Sequence, residues 1–362
     1  MTARKPHKTL RRGWTTGACA AAAAKAAYAA LLTGDFPDPV TITLPKGEMP
    51  AFPLKFTLLT DGAATASIIK DAGDDPDVTH GAEIQVTVCK KSAGTGITFH
   101  AGDGVGTVTL AGLPLRVGEP AINPAPRKMI AETLAALAHD HDVDADLAIT
   151  VSIPGGEVLA QRTSNGRLGI IGGLSVLGTT GIVIPYSCAS WIHSIHRGID
   201  VARAAALPHI AAATGRTSEA AAQARTGLPD MAMIDMGDFA GGLLKYMRRR
   251  PVERLTIAGG FAKLVKLAQG NMDLHSDRSS VDFDKLADLL ANCGADQASV
   301  AAARQANTAL AVLQIAGPQA APLAARVAAL TRASALATLA GGTAVDILVV
   351  DRQGEIIGHA GT

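Results

Sequence analysis

Aromatic residues make up only 3% of this 362-residue chain, too few for the stacking platforms that hold single-stranded nucleic acid. Net charge is +1 and both signs are spread along the sequence, so the basic footprint of a nucleic-acid binder is missing as well. A short basic run, Arg248 to Arg250, closes a helical pattern, where cations suit the negative end of the helix dipole. The four cysteines, Cys19, Cys89, Cys188 and Cys293, stand far apart with no C-x-x-C pair. That spacing excludes a disulfide framework and a zinc site and fits a reducing cytoplasm. The basic N-terminus, Met1 to Arg12, lacks the apolar core of a secretory signal. The apolar stretch Ala18 to Leu32 is interrupted by Lys25 and Tyr28 and reads as a buried helix, with no membrane span expected. Such an alanine-lined helix packs either within the monomer or across a homo-oligomer.

What is present divides into two patterns. To about residue 190, short β-patterned runs alternate with Gly/Pro/Asp-rich loops: Val40 to Leu44, Phe56 to Thr60, Ala64 to Ile69, Glu83 to Cys89 and Ala148 to Ile153. With helices at Ala18 to Leu32 and Pro126 to His139, residues 1–190 are expected to form an α+β domain with a mixed β-sheet. Residues 191–362 alternate strand and helix. Runs at His209 to Ala213, Met231 to Met236, Arg254 to Ala258 and Val345 to Val350 predict a smaller α/β domain with a parallel sheet of about four strands. Two or three Ala/Leu-rich helices are expected between residues 283 and 340, and a polar tail after Val350.

Several clusters could carry chemistry. In R-R-G-W-T-T-G-A-C-A, Thr15 or Thr16 can cap the following helix, and Thr15, Thr16 and Gly17 stand where a helix N-terminus can hold an anion. Asp71, Asp74, Asp75 and Asp77 crowd into seven residues. They suit a hard cation, a set of hydrogen-bond acceptors, a proton-abstracting base or a solvated turn. Asn165 to Pro185 holds six glycines and the pair Thr179-Thr180, a flexible surface able to wrap a large ligand, yet no Walker loop, because G-K-[ST] is missing. In the second half, Thr214-Gly215-Arg216, Asp235 with Gly237-Asp238, and Gly259-Gly260 each follow a strand, the position where open parallel sheets bind ligands. The loop G-N-M-D-L-H-S sets His275 near Asp273, a pair able to move a proton near neutrality.

Taken in order, G-W-T-T-G-A-C-A-A-A-A, D-A-G-D-D-P-D-V-T-H-G, G-E-P-A-I-N-P-A-P-R, R-L-G-I-I-G-G-L-S-V-L-G-T-T-G-I-V and G-N-M-D-L-H-S resemble the cobalt-precorrin-5B carbon-1 methyltransferase family of cobalamin biosynthesis. The resemblance spans residues 10 to about 276. It implies S-adenosylmethionine as methyl donor and a cobalt-bound, partly methylated tetrapyrrole as acceptor. The metal belongs to the substrate, and no protein-bound metal is expected. The resemblance fixes no catalytic residue, so the site is assigned on chemistry. The cofactor is expected at Thr214, Gly215, Asp235, Asp238, Gly259 and Gly260. The tetrapyrrole is expected at Arg11, Thr15, Thr16, Gly17, Arg127, Arg167, Gly172, Gly173, Thr179, Thr180 and Gly181, its carboxylates meeting the arginines. If a proton must be removed, His275, Asp74, Asp75 and Asp77 are the candidate catalytic residues. One departure stands out: G-G-F-A-K-L-V-K has Phe261-Ala262 where a Gly-Lys pair is expected, which argues against a lysine-dependent role for that turn. A nucleotide-dependent phosphoryl-transfer enzyme and a non-catalytic tetrapyrrole carrier are the alternatives.

Overall fold

Alanine is the strongest helix former, and the alanine-rich run becomes an 18-residue helix, Thr16–Thr33, in the computed structural model, which describes residues 10–361. Most of the basic N-terminal stretch and Thr362 therefore lie outside the described residues. Thr15 caps the helix by accepting the Ala18 N–H at 3.2 Å, and Gly34 ends it in the left-handed region at φ 90°. Every residue from Thr16 to Tyr28 except Lys25 is buried. A helix that is apolar all round is a core element. Lys25 escapes by running its stem outward and donating to the Thr41 carbonyl at 2.8 Å.

The helix belongs to the first of two compact units, which divide between Cys188 and Ala189. Its partner is a five-stranded sheet in the order Phe56–Thr60, Ala63–Ile69, Glu83–Lys90, Leu147–Ser152, Thr98–Ala101. The first four strands are antiparallel and the last runs parallel to its neighbour. Alternate residues line up in cross-strand rows: Ala64, Val88 and Ile149 form one, and Ala66, Val86 and Val151 the next. All six are buried. Small alanines on the strand and methyl groups on the helix let the two pack closely, and helix Pro124–Asp140 packs on the alanine helix in turn. Thr98–Ala101 was not expected as a strand: it is a short parallel addition at an edge, held by its neighbour rather than by a strong pattern of its own.

The second unit runs from Ala189. Its sheet has the order Met233–Asp235, His209–Ala213, Arg254–Gly260, Ala344–Val350, Ile356–Ala360. The first four strands are parallel, as expected. The segment after Val350 corrects the expected polar tail: it turns at Asp351 and returns as a fifth, antiparallel strand. Gly358 makes this possible, since a β-carbon there would run into the backbone of Ala324 in the long helix Ala320–Leu339. The helical stretch before that strand divides into four helices, Phe283–Ala291, Gln297–Arg304, Ala309–Ile315 and Ala320–Leu339. The first three carry their own Asp or Thr caps at Asp282, Asp296 and Thr308. Those capping residues are what break the run. Among the described residues no helix is long and apolar enough to cross a membrane.

Replacing Ala23, fully buried in the first helix, with leucine should destabilise the protein by about 1–3 kcal/mol through overpacking. The same change at the exposed Ala136 should be nearly neutral. Urea unfolding of both variants, followed by circular dichroism, compares them directly.

Candidate functional site

In the first unit three loops meet at the start of the alanine helix. Gly13–Trp14 pairs antiparallel with Ile182–Val183. The Trp14 N–H donates to the Asp71 carbonyl at 2.7 Å and the Thr15 N–H to the Gly181 carbonyl at 2.9 Å. The Gly17 N–H donates to the Leu177 carbonyl at 2.9 Å. Two of the first helical N–H groups, those of Gly17 and Ala18, are thus spent inside the protein. This is capping, and it leaves less of the helix end for an anion. The glycines are dictated by contact. A β-carbon on Gly13 would lie within the Ala72–Gly73 backbone, and one on Gly178 within the Thr15 side chain.

From this junction the glycine-rich segment threads between two further loops. The Gly106 N–H reaches the Leu174 carbonyl at 2.9 Å, and the Leu174 N–H reaches the Gly104 carbonyl at 2.8 Å. On its other side the Val176 N–H donates to Ala121 at 2.8 Å and the Asn123 N–H to Val176 at 3.1 Å. Buried Asn165 fixes the bend by donating to the Gly173 carbonyl at 3.2 Å while accepting from the Ser175 hydroxyl at 3.3 Å. The expected flexible wrap is therefore a pinned layer of loops.

The acidic turn is tied into the same layer one carboxylate at a time. Asp71 accepts from both guanidinium nitrogens of Arg11, one of them at 2.8 Å. Arg11 and then the Gly73 N–H hold the Asp71 carboxyl down to about 2. Asp74 accepts the Arg11 N–H at 2.7 Å, and Asp75 accepts the Tyr186 N–H at 2.8 Å. Asp77 pairs with the buried Lys70 ammonium at 2.5 Å and accepts from Thr79. Burial opposes ionisation of Asp77, but the Lys70 charge and these hydrogen bonds outweigh it and keep the carboxyl below its usual range. Among the described residues no group of three His, Cys, Asp or Glu side chains is placed to hold a metal ion.

Several apolar side chains on these loops face solvent: Ile171, Leu177, Ile184 and Tyr186, the last 67% exposed. Tyr186 also sits at φ 57°, a left-handed conformation that costs a non-glycine residue about 1–3 kcal/mol and clusters at functional sites. The Asp75 carboxylate on its amide opposes that cost. In the sequence this group leaves only one trace, the aliphatic residues scattered among the glycines of Asn165 to Pro185, and it is not among the residues expected to bind.

In the second unit the strand order reverses between His209–Ala213 and Arg254–Gly260, and ligands collect outside the carboxyl ends of strands at such a switch. A concavity of about 220 Å³ opens there, lined among others by Thr214, Gly215, Arg216, Gly260, Asp351 and Arg352. Gly260 and Gly215 have open space where a side chain would be. Gly259 serves packing instead, since a β-carbon would come within 2.9–3.1 Å of Thr214 and Leu264.

The matching family models are those described as CbiD, over residues 3–185, and CbiD, C-terminal domain, over residues 273–361. The chain belongs to the CbiD family. It is 59% identical to the cobalt-precorrin-5B C(1)-methyltransferase of Paramagnetospirillum magneticum, over 98% of this chain and 99% of that one. To the protein of the same name from Brucella anthropi it is 57% identical, over 96% and 95% of the two chains. A 1.9 Å crystal structure of the cobalamin biosynthesis protein cbiD from Archaeoglobus fulgidus matches with 28% identity and a TM-score of 0.41, over 74% of this chain and 83% of that one.

Within this CbiD fold the residues singled out from the sequence group by unit. Arg11, Thr15, Gly17, Gly181, Asp74 and Asp75 converge on the junction, with Thr16 inside the helix and Thr179-Thr180 on the adjoining bend. Gly173 is buried against Gly104 and Gly172 is exposed at φ 85°. Arg127 staples its own loop, donating to the Ile122 and Pro120 carbonyls and pairing with Glu119. Arg167 lies in the short turn Gly166–Leu168. Thr214, Gly215 and Gly260 share the concavity, to which Arg216, Asp351 and Arg352 are additions. Asp235 follows the neighbouring strand, and Asp238 is engaged by Lys263.

Asp273 and His275 are linked through the His275 backbone N–H and not through its imidazole. Asp273 accepts from Arg278 at 2.9 Å and from the His275 backbone N–H, while the exposed imidazole accepts the Asp277 N–H at Nδ1. Lys263 and Lys266 both donate to the Leu274 carbonyl, at 3.2 and 3.1 Å, and so clamp this loop. Burial, then the Lys263 charge, lowers the Lys266 ammonium below its ordinary value.

Two outcomes follow. Asp75→Ala should speed exchange of the Tyr186 amide by about tenfold or more, as expected for losing a charged hydrogen bond; hydrogen-exchange mass spectrometry reads it. Because the Asp71 carboxyl is lowered on folding, its contribution is present above the ordinary carboxylate range and lost as pH falls toward about 2. Acid titration of Asp71→Asn, followed by Trp14 fluorescence in a Trp191→Phe background, should show a shallower transition between about pH 4 and about pH 2.

Proposed function

We propose that this chain transfers a methyl group from S-adenosylmethionine to carbon 1 of the cobalt-precorrin-5B ring in corrin synthesis, as a cytoplasmic enzyme. The observation that carries this reading is the near-full-length identity with relatives that bear the name cobalt-precorrin-5B C(1)-methyltransferase. Four free cysteines suit a reducing compartment.

In the reaction a carbon–carbon bond forms at C1 as the sulfur–methyl bond breaks, leaving a neutral thioether. Such a displacement is governed by alignment, and well-positioned reactants can recover about 7–11 kcal/mol. The chain's work is then to hold two ligands still. In the second unit, the concavity beside Thr214, Gly215 and Gly260 carries Arg216 and Arg352 with Asp351. Both signs of charge beside a helix start suit the zwitterionic amino-acid end of the donor. At about 220 Å³ the space falls short of a whole ligand pocket, so it is assigned to that end alone. Asp235 and Asp238, at the neighbouring strand end, complete the proposed donor site.

In the first unit, Tyr186, Ile184 and Leu177 offer apolar surface to a macrocycle face, and Arg11, Arg12 and Arg167 offer cations to its carboxylates. Asp74 and Asp75 act as positioning residues: the first holds the Arg11 backbone and the second the Tyr186 amide. Asp77 and Lys70 brace the turn. A carboxylate kept low by a buried ammonium is a poor base, which argues against Asp77 removing a proton. His275, with Nδ1 accepting the Asp277 N–H, presents Nε2 as a donor when neutral, so its role in this reading is to donate a hydrogen bond.

Titration calorimetry with S-adenosylhomocysteine tests the donor site. One-site binding is expected, weakened about tenfold by Arg216→Ala or Arg352→Ala, as for loss of a charge-assisted contact. Tyr186→Ala should leave that affinity unchanged and raise KM for the corrinoid. Absence of binding, with or without a corrinoid analogue, would favour the carrier alternative.

A further inference from the structure

The helix Cys188–Ala204 opens the second unit and packs into its core through residues four positions apart, which share one face of a helix. Ile195 and Ile199 on that face are 1% and 0% exposed and join the core with Ile234 and Met236. Trp191 is the next residue of the same stripe toward the helix start, yet it is 45% exposed. The difference is one of position. Trp191 bonds Asp235, the last residue of the strand Met233–Asp235, where the sheet ends and ceases to cover the helix.

The indole is held in place despite its exposure. Its Nε1–H donates to the Asp235 carbonyl at 3.1 Å, and the Phe239 ring lies 6.3 Å away at a tilt of 49°. Gly237, at φ 54°, lies against it: a β-carbon there would come within 3.2–3.3 Å of Nε1, Cε2 and Cζ2. The one polar atom of the ring is thus satisfied by the protein, and nearly half of an apolar surface is left to solvent. A rigid aromatic ring of this kind offers contact area at low entropic cost and serves as a platform for a flat heterocyclic base.

Its neighbours decide which base. The Gly237 N–H donates to the Ala213 carbonyl at 3.2 Å, and Ala213 immediately precedes Thr214 of the concavity. The strands follow in the order Met233–Asp235, His209–Ala213, Arg254–Gly260. Trp191, at the end of the first, therefore stands two strand spacings, about 9–10 Å, from the end of the third, where Gly260 borders the concavity. An extended S-adenosylmethionine has a comparable reach from its amino-acid end to its adenine. The concavity accommodates only the first of these, so the adenine needs a second surface. We infer that Trp191 is that surface, the platform on which the adenine of the methyl donor stacks, with Asp235 and Asp238 of the same turn as acceptors for the ribose hydroxyls. The inference rests on the donor site proposed above and extends it to the other end of the ligand.

Trp14 and Trp191 are the two tryptophans of the chain, so Trp14→Phe leaves Trp191 as its sole indole emitter. Titrating this full-length variant with S-adenosylhomocysteine is expected to change that emission saturably, in step with the heat of binding. Calorimetry should find the affinity about tenfold weaker in Trp191→Leu, as for loss of a base–aromatic stack, and close to wild type in Trp191→Phe, which keeps a ring. 5′-Methylthioadenosine, which has the adenosyl group and no amino-acid end, separates the two halves of the site. Its binding should weaken in Trp191→Leu and be indifferent to Arg352→Ala, a contrast that a merely structural tryptophan would not produce. S-adenosylhomocysteine that binds but leaves the Trp191 emission unchanged, or that binds Trp191→Leu as tightly as wild type, overturns the adenine placement while the donor site stands. Absence of any binding to the wild type overturns both.

Discussion

The seating of a methyl-covered helix on an alanine-bearing sheet sets the geometry of the first unit. Because Ala18 to Ala24 project no more than a methyl group apart from the Cys19 thiol, the N-terminus of Thr16–Thr33 comes close enough for Gly17 to bond the backbone of Leu177. That contact anchors the glycine-rich segment, which brings Ile182–Val183 beside Gly13–Trp14. Gly13 then leaves room for the Ala72–Gly73 backbone, and the acidic turn arrives with its carboxylates aimed at Arg11 and at the Tyr186 amide. Each step requires the one before. Burial pushes the Cys19 thiol up to about 12, so the one reactive atom type in this helix is inert packing.

The second unit solves a different problem, that of opening a ligand space at strand ends without loosening the core. Gly259 and Gly260 are adjacent but have opposite tasks: one admits the Thr214 and Leu264 side chains, the other leaves an opening. The lysines of the following helix turn away from that opening. Lys263 and Lys266 converge on the Leu274 carbonyl and hold the loop that carries His275. The Phe261-Ala262 departure from a Gly-Lys turn is consistent with this, since the ammonium groups of the helix stabilise a loop and not a phosphate.

Much of this was legible in the sequence. Long patterned elements such as Glu83–Lys90 and Arg254–Gly260 announce themselves through alternation or a sustained apolar run. The Ile356–Ala360 strand did not, because its pairing is created by a turn at Asp351 and by the backbone contact at Gly358, neither of which has a periodic signature. The loops were visible as glycine-rich motifs, but not what each glycine meets. For the carboxylates, crowding signalled importance and gave no partner: Arg11, Lys70 and Tyr186 are 60, 7 and 111 positions from the acids they hold. Tyr186 was invisible for the same reason, since its left-handed backbone depends on Asp75.

The alanine helix also has a consequence for the entropy of the first unit's core. A buried leucine surrenders about 0.5–1 kcal/mol of rotamer freedom on folding, whereas alanine surrenders none. The buried alanines of this helix therefore contribute little area each and lose almost nothing in side-chain entropy, while larger neighbours such as Ile84, Ile130 and Ile149 supply the apolar area. The helix's cohesion comes from short-range dispersion, which a gap of about 0.5–1 Å cuts by a quarter to a half. The contribution of such a helix is thus set by its distance from the sheet more than by the size of its side chains.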